Sequence, residues 1–260
     1  MRANYKLKRL FVRQLLALNE EIVIEGQQAS YLIHVLRMKE GAEILLFNGQ
    51  DGEWLAKLLF IKKKIVVARL IRQERLQPIH SDLFYCFAPL KHMRLDYVIQ
   101  KAVEMGVSVL YPVITHHTQV TRINMARIEA NIIEASEQCG ILSLPKCAPA
   151  VSLETFLENW DKTHALFFCD ELNESYNLIP LLRKHGTKPL GVLIGPEGGF
   201  SEEERVFLKK YPFVFSVSLG PRILRADTAA VAALTLVNAT MGDWSIGQET
   251  CNIIQNNSLK

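Results

Sequence analysis

The sequence lacks any apolar run of the roughly 18 residues that a membrane-spanning helix requires. Its first segment, MRANYKLKRLFVRQ, interrupts its apolar residues with charges and therefore differs from a signal peptide. The five cysteines are odd in number and scattered, without the short paired spacings of a zinc site or a disulfide framework. These absences predict a cytoplasmic protein with free thiols and no membrane segment.

The glycine-rich signatures of common nucleotide sites are also absent. Neither G-x-G-x-x-G nor G-x-x-x-x-G-K-[ST] occurs, which argues against a binding loop for NAD or ATP. What the chain does have is 260 residues with 49% hydrophobic content, enough for one large domain or two modest ones.

The net charge of +3 conceals an uneven distribution. Residues 1–76 carry 14 basic against 8 acidic side chains, whereas residues 77–260 carry 16 against 19. Basic side chains cluster at both ends of the first part, within residues 2–13 and 62–75. Two such clusters favour a polyanion such as RNA, with a solvated surface as the alternative. The candidate RNA contacts are Arg2, Lys8, Arg9, Arg13 and Arg37.

The pattern of apolar residues changes near Pro78. Before it, short alternating runs bounded by Asn-Gly and Asp-Gly turns predict a β-rich domain over residues 1–76, interrupted by one helix in QQASYLIHVLRMK. After it, apolar strands alternate with helices over residues 77–246, which predicts a parallel sheet covered on both faces. Residues 247–260 are polar and are expected to form a tail.

Two of the predicted strands end in unusual loops, LIGPEGGFSEEE and SLGPRILRADTAAVAAL. Ligands of parallel sheets bind beyond the carboxyl ends of strands, and glycine lets a ligand approach the backbone closely. In the first loop, Ser201 and Glu204 form a capping box that occupies the helix N–H groups, and further carboxylates surround it. A pyrophosphate is therefore disfavoured, whereas a phosphate-free ligand with a cationic centre, such as S-adenosylmethionine (SAM), fits.

The two loops resemble the signature loops of the SPOUT methyltransferases, and specifically of the RsmE family. The resemblance extends to SYLIHVLRMKEG, QKAVEMGVSVLYPVIT and EASEQCG, and so covers residues 7–245. It implies an α/β fold in which a PUA-like β-barrel domain precedes a SPOUT-type parallel sheet with a C-terminal trefoil knot. It further implies a homodimer that uses SAM to methylate N3 of a specific uridine in 16S ribosomal RNA, in the assembled 30S subunit.

The resemblance also places the cofactor, which main-chain groups would bind. The implied cofactor-binding residues are Ile194, Gly195, Pro196, Glu197, Gly198, Gly199, Ser218, Leu219, Gly220, Ile223, Leu224, Arg225, Thr228 and Ala229. The strand end at Phe168, Cys169 and Asp170 is a further candidate. Asp227 is expected to be the N-cap of the last helix.

The expected reaction is attack of uracil N3 on a methyl group. N3 is a weak acid, so the enzyme must remove its proton or stabilise the resulting anion. Arg225 is the first candidate for stabilising that anion, and Arg222 is the second, because arginine stays charged and directs several donors at an oxyanion. Glu197 is a candidate base, with a role in fixing the backbone as the alternative.

The sequence departs from the family pattern where arginine is common, at Ile141 and at the pair His116 and His117. Adjacent histidines without further ligands do not indicate a metal site, and none is expected. The last helix, from about Asp227 to Met241, has small or apolar residues on most faces and is expected to be buried all round, by its own subunit or by a partner.

Three alternatives remain open from the sequence. A related SPOUT enzyme would act on another base or on ribose, and a noncatalytic relative would bind RNA without cofactor. A nucleotide-dependent oxidoreductase would need NAD(P), against which the acidic loop argues.

Overall fold

The computed structural model describes residues 6–62, 64–120, 122–173, 178–186 and 189–244. The chain forms two compact units, Met1–His80 with Ile133–Leu144, and Ser81–Ile132 with Pro145–Lys260. The first unit thus includes a segment that the sequence assigned to the second domain. Arg2 and the predicted tail at 247–260 lie outside the described residues.

The first unit contains a five-stranded sheet in the order β1-β3-β4-β5-β2. Only the pair of β1 with β3 is parallel. In β2, buried Ile22 and Ile24 alternate with outward-facing residues, as expected for a strand with one face on a core. The strands are β1 (Arg9–Phe11), β2 (Glu21–Glu25), β3 (Glu43–Phe47), β4 (Glu53–Lys62) and β5 (Ile65–Arg75).

The predicted helix of this unit is shorter than its pattern indicated. Helix α1 spans Gly26–Ser30 and continues as one π-helical turn over Tyr31–Val35. Arg37 follows with a positive φ of 49°, a conformation that ends a right-handed helix.

A buried ion cluster connects the strands of the first unit. The Glu53 side chain is 1% exposed and accepts from Arg9 Nε at 2.5 Å and from Arg75 Nε at 2.7 Å. Burial alone would raise the pKa of Glu53, but the hydrogen bonds from Arg75 and Arg9 outweigh burial and lower it. The same arginines donate to the carbonyl oxygens of Glu137 and Gly140 at 3.2 and 2.9 Å.

The second unit is built on a parallel sheet, described in the order β12-β10-β11-β6-β7-β8, with β9 also pairing with β7. The sequence predicted these strands except the two-residue β8 and β9. The strands are β6 (Leu83–Phe87), β7 (Val109–Ile114), β8 (Lys146–Cys147), β9 (Val151–Ser152), β10 (Ala165–Cys169), β11 (Leu190–Ile194) and β12 (Val214–Val217).

Helices cover the sheet. Every residue of β11 is buried, as expected for a strand covered on both faces. Gly191 in β11 lacks a side chain because the Trp160 ring fills the space that a Cβ would need. The helices that follow in the chain are α2 (His92–Glu104), α3 (Met125–Cys139), α4 (Leu153–Asn159), α5 (Leu178–His185), α6 (Glu202–Leu208) and α7 (Ala226–Thr240).

Helix α7 differs from its prediction in two ways. It packs on α2, α5 and β11 with one buried face, but Val231, Thr235 and Leu236 are only half-buried, so it is not buried all round in a single chain. Its N-cap is Arg225 rather than Asp227. Asp227 lies in the first turn, where its Oδ1 accepts from the Thr228 N–H at 2.8 Å.

The sheet order determines where a ligand site can form. The register places Cys169 of β10 beside both Ile194 of β11 and Val217 of β12. The carboxyl ends of these three strands therefore lie in one row, and the loops that follow them are neighbours. Within the described residues, no helix is both long and apolar enough to cross a membrane.

Candidate active site

A cavity of about 330 Å³ opens at this row of strand ends. Its walls come from the segments after β10, β11 and β12. The lining residues are Cys169, Asp170, Glu171, Ile194, Gly195, Pro196, Glu197, Gly198, Gly199, Ser218, Leu219, Gly220, Arg222, Ile223, Leu224, Arg225, Ala226 and Ala229. The structure thus brings together the predicted cofactor residues, except Thr228, which is exposed outside this lining.

The first wall is the glycine-rich loop between β11 and α6. A Cβ on Gly195 would lie 2.8 Å from the Phe200 ring, and Gly199 has a φ of +65°. These two positions therefore require glycine, and they expose bare peptide groups to the cavity. The predicted capping box of Ser201 and Glu204 is confirmed by both of its hydrogen bonds.

The second wall is the loop from Ser218 to Arg225. Gly220 turns the chain with a φ of +112°, and its N–H lies 3.3 Å from the Ser218 hydroxyl. Ala226 and Ala229 at the start of α7 leave space for a ligand because their side chains are small.

The third wall is the end of β10, where Asp170 and Glu171 meet the buried Arg205 of α6. Arg205 Nε donates to Asp170 Oδ1 at 2.9 Å and Arg205 Nη2 donates to Glu171 Oε1 at 2.7 Å. In the same wall, burial, with a smaller effect from Asp170, raises the pKa of the Cys169 thiol to about 12. This thiol therefore stays protonated and is not a nucleophile at neutral pH.

The charged rim contains the predicted catalytic residues. Arg222 and Arg225 line the cavity, are exposed, and have no ion pair or hydrogen bond from their guanidinium groups to any residue that the structure describes. Glu197 instead lies 3.1 Å from Arg94 Nη1 of α2. The two arginines are thus available to a substrate, whereas the carboxylate already has a cationic partner.

The histidines that depart from the family pattern support the first wall. His117 Nδ1 lies 3.2 Å from the Gly199 carbonyl oxygen, and the His116 N–H donates to Glu204 Oε1 at 2.7 Å. No group of three metal-ligating side chains occurs in the described ranges. Ile141 lies in the first compact unit, half-buried.

The predicted RNA contacts divide into two groups. Arg13 and Arg37 are exposed, and Lys8 Nζ lies 5.0 Å from the centre of the Tyr31 ring. Arg9 is 3% exposed and paired with Glu53, so its prediction as an RNA contact is corrected to a structural role.

Sequence reasoning missed Glu171, Arg205 and Arg94. Glu171 directly follows the strand end that was a candidate, so its position after an apolar strand was an available signal. Arg205 and Arg94 lie within helical patterns that look like solvated faces, and their contacts form only in the folded chain.

Comparison with known protein families identifies the class of protein to which this fold and cavity belong. Residues 77–238 match the family described as an RNA methyltransferase domain, and residues 24–71 match the RNA methyltransferase PUA domain. The chain belongs to this RNA methyltransferase family. The predicted SPOUT-type parallel sheet with a preceding PUA-like domain is confirmed, and the knot stays a prediction.

Two curated relatives carry a more particular name, Ribosomal RNA small subunit methyltransferase E. The protein of Rickettsia conorii is 31% identical over 233 residues, which cover 89% of this chain and 95% of the relative. That of Buchnera aphidicola subsp. Acyrthosiphon pisum is 30% identical over 253 residues, covering 93% and 96%.

Two solved structures also match this chain over most of its length. A Legionella pneumophila protein described as a methyltransferase in complex with the bound cofactor SAM is 30% identical, with a TM-score of 0.81, and the match covers 91% of this chain and 99% of that one. The Ribosomal RNA small subunit methyltransferase E of Neisseria gonorrhoeae, bound to S-adenosyl methionine, is 23% identical with a TM-score of 0.83, over 91% and 99%. At that identity the second match supports the fold alone.

Proposed function

We propose that this protein uses SAM to methylate N3 of a specific uridine in 16S ribosomal RNA, in the assembled 30S subunit. The observation that carries the proposal is a cavity with walls of bare peptide groups and a rim that holds two arginines without partners among the described residues. Relatives that match over most of the chain are named for RNA methylation of the small subunit.

The residues of the cavity fit the cofactor. Its volume of about 330 Å³ is within the range of small-molecule sites, and exposed peptide groups at the Gly195 and Gly220 loops suit the edge of an adenine ring. Carboxylates at Asp170, Glu171 and Glu197 disfavour a phosphate but tolerate a sulfonium. The bound cofactor supplies an activated methyl group.

The arginines would act on the base. Loss of the N3 proton places negative charge on the uracil oxygens, and a guanidinium stabilises an oxyanion without itself losing a proton. Arg225 has the stronger claim because it lies at the junction of the second wall and α7. Glu197 is a weaker candidate for the base because Arg94 occupies one of its oxygens.

The first unit would bind the RNA. Its exposed Arg13 and Arg37 and its half-buried Lys8 are suited to phosphates, whose contacts position an RNA without specifying its sequence. Action on ribosomal RNA would place the protein in the cytoplasm.

A homodimer belongs to the proposal. The half-buried side chains of α7, including Val231 and Leu236, offer an apolar strip that a second copy could cover. Gel filtration with light scattering should give twice the mass of one chain at micromolar concentration, and a monomer alone would remove the dimer from the proposal.

A reconstitution tests the reaction. Ribosomes from cells that lack the gene are incubated with the protein and labelled SAM, and the 16S RNA is mapped by mass spectrometry. The expected result is one methyl group on N3 of one uridine. Comparing intact 30S subunits with free 16S RNA tests the assembly state of the substrate.

The same experiment addresses the alternatives. A methyl group on ribose or on another base would replace the N3 assignment with a related activity. A noncatalytic RNA-binding relative would leave the RNA unmodified, and it would give no heat with SAM in calorimetry.

A further inference from the structure

The cavity is lined by three carboxylates, Asp170, Glu171 and Glu197, which differ in how the protein holds them. Asp170 is 2% exposed; its Oδ1 accepts from Arg205 Nε and from the Leu172 N–H, and its Oδ2 accepts from the Ser216 hydroxyl at 3.3 Å. Glu197 is paired with Arg94. Asp170 therefore has no oxygen left for a ligand, whereas Glu197 keeps one oxygen without a partner among the described residues and is 42% exposed.

Glu171 differs from Glu197 because the arginine that holds it is buried, 8% exposed against 39% for Arg94. Glu171 Oε1 accepts from Arg205 Nη2 at 2.7 Å, whereas its Oε2 has no hydrogen-bond partner in the described part of the chain. The side chain is 33% exposed and lines the cavity. It therefore presents one acceptor oxygen that is fixed in place at the cavity wall.

Arg205 holds the Glu171 carboxylate in place through Oε1, which also fixes the position of Oε2. The Arg205 side chain is 8% exposed, and its three guanidinium nitrogens have three partners: Asp170, Glu171 and, at 2.5 Å, the carbonyl oxygen of Phe200 in the first wall. It thus ties the end of β10 to the glycine-rich loop. A planar group with several donors holds such a geometry, and a lysine would not.

Gly199 completes the arrangement. A Cβ at this position would collide with Glu171 Oε1 and would lie 3.6 Å from Arg205 Nη2. The carboxylate therefore rests directly on the bare backbone of the first wall. This contact leaves Glu171 little room to turn away from the cavity.

We propose that Glu171 binds the ribose of the cofactor through its free oxygen, and that Arg205 is the positioning residue that holds Glu171 there. This inference rests on the proposed use of SAM. Peptide groups can hold adenine, but the ribose hydroxyls are donors that need an acceptor, and an ionised carboxylate accepts strongly. Dinucleotide-binding folds bind ribose hydroxyls with a carboxylate for the same reason.

The amino-acid end of the cofactor is a poorer partner for this oxygen. An ammonium has three N–H donors, and a single free acceptor would leave two of them unpaired in the wall, whereas a hydroxyl has one donor. The predicted contact is therefore with the adenosine half of the molecule. This distinction can be measured with a shortened ligand.

The test is calorimetry with SAM, with 5′-methylthioadenosine, which keeps the ribose but lacks the amino acid, and with the 2′,3′-dideoxy form of the latter. Glu171→Gln should weaken SAM and 5′-methylthioadenosine alike by about tenfold, as expected for a charge-assisted hydrogen bond. The dideoxy ligand should bind wild type and Glu171→Gln equally. Glu158→Gln, at an exposed carboxylate of α4, is the matched control.

Each result of this test supports or contradicts one part of the proposal. A wild-type protein that does not bind SAM defeats the proposed function itself. If wild type binds but Glu171→Gln binds 5′-methylthioadenosine as tightly as wild type does, the ribose contact is wrong, including where SAM alone is weakened. Equal losses for the hydroxylated and dideoxy ligands would likewise overturn it.

Arg205→Lys tests the positioning role. Lysine keeps the positive charge but lacks the planar group with several donors. We therefore expect the affinity for 5′-methylthioadenosine to fall as in Glu171→Gln. The KM for SAM should rise far more than kcat falls. A lower melting temperature with unchanged ligand affinity would make Arg205 a purely structural residue.

Discussion

At the scale of single residues, Arg225 combines a structural position with a free side chain. Its backbone begins α7 as the N-cap, but its side chain makes no capping hydrogen bond. Removing the side chain should therefore leave the helix start intact. The chemistry can then be separated from the folding of the site.

Arg225→Ala should lower kcat by about a hundredfold, the usual effect of removing one stabilising group from an oxyanion. The dissociation constant for SAM should change little. Single-turnover kinetics and calorimetry measure the two quantities, with Arg183→Ala on the exposed face of α5 as the control. Equal losses in both would make Arg225 a cofactor contact rather than a catalytic one.

Gly199→Ala separates backbone strain from a lost contact. Gly199 and Gly186 both have positive φ, at +65° and +72°, so alanine at either should cost about 1–2 kcal/mol of unfolding free energy. Space around Gly186 is open, whereas a Cβ at Gly199 displaces the Glu171 carboxylate. Urea unfolding should show similar losses for the two variants, and calorimetry should show weaker SAM binding only for Gly199→Ala.

At the scale of elements, the accuracy of the sequence predictions followed how local each signal was. Long apolar strands such as β11 and helices with capping residues such as α6 were predicted, because their patterns lie within a few adjacent residues. Strand β1 was missed because three residues within a basic segment give no period. The N-cap of α7 was misplaced because Asp227 is a good capping residue two positions inside the helix.

The site shows the same division. Its two glycine-rich loops were visible in the sequence because turn chemistry and charge are local. The link from Arg205 to Glu171 joins residues 34 positions apart and depends on the pairing of β10 with β11, which no local pattern encodes. The burial of Arg9 was likewise invisible, since its partners Glu53 and Glu137 are distant in the sequence.

The Glu53 cluster predicts a pH dependence of stability. The folded pKa of Glu53 lies below its ordinary value of 4.5, so the ionised carboxylate stabilises the fold above that pH, and this contribution is lost as the pH falls through the folded pKa. Glu53→Gln should cost about 3 kcal/mol near neutral pH because it removes the buried negative charge that Arg9 and Arg75 share. Its unfolding free energy should also fall less than that of wild type under acid.

Chemical unfolding from pH 7 to pH 3 measures both effects, with Glu43→Gln at an exposed site of β3 as the control. The pH profile of Glu53→Gln must be compared with that of wild type, because the neighbouring Glu137 has the opposite effect on stability. Burial raises the pKa of Glu137, so this carboxyl stabilises the fold as the pH falls. Parallel pH profiles for wild type and Glu53→Gln would contradict this account.

At the scale of the whole molecule, the exposure of a basic side chain determines whether it contributes to RNA binding or to the stability of the fold. Arg13 is exposed and Arg9 is buried, although both belong to the same basic stretch. Arg13→Ala should weaken RNA binding and reduce its salt dependence by about one released ion, with little change in melting temperature. Arg9→Ala should lower the melting temperature instead.

Filter binding at several salt concentrations, together with thermal melts, distinguishes these outcomes. If both variants kept their stability and lost RNA affinity equally, the buried position of Arg9 would not describe the protein in solution.

The pairing of β12 with β10 has a consequence for the order in which the protein becomes competent. Cys169 meets Val217 only after nearly fifty further residues have been synthesised, and α7 follows later still. A nascent chain that has not reached these segments lacks one side of the pocket and cannot retain a methyl donor. The methyl donor therefore binds only to fully synthesised chains, and its binding stabilises these chains but not incomplete ones.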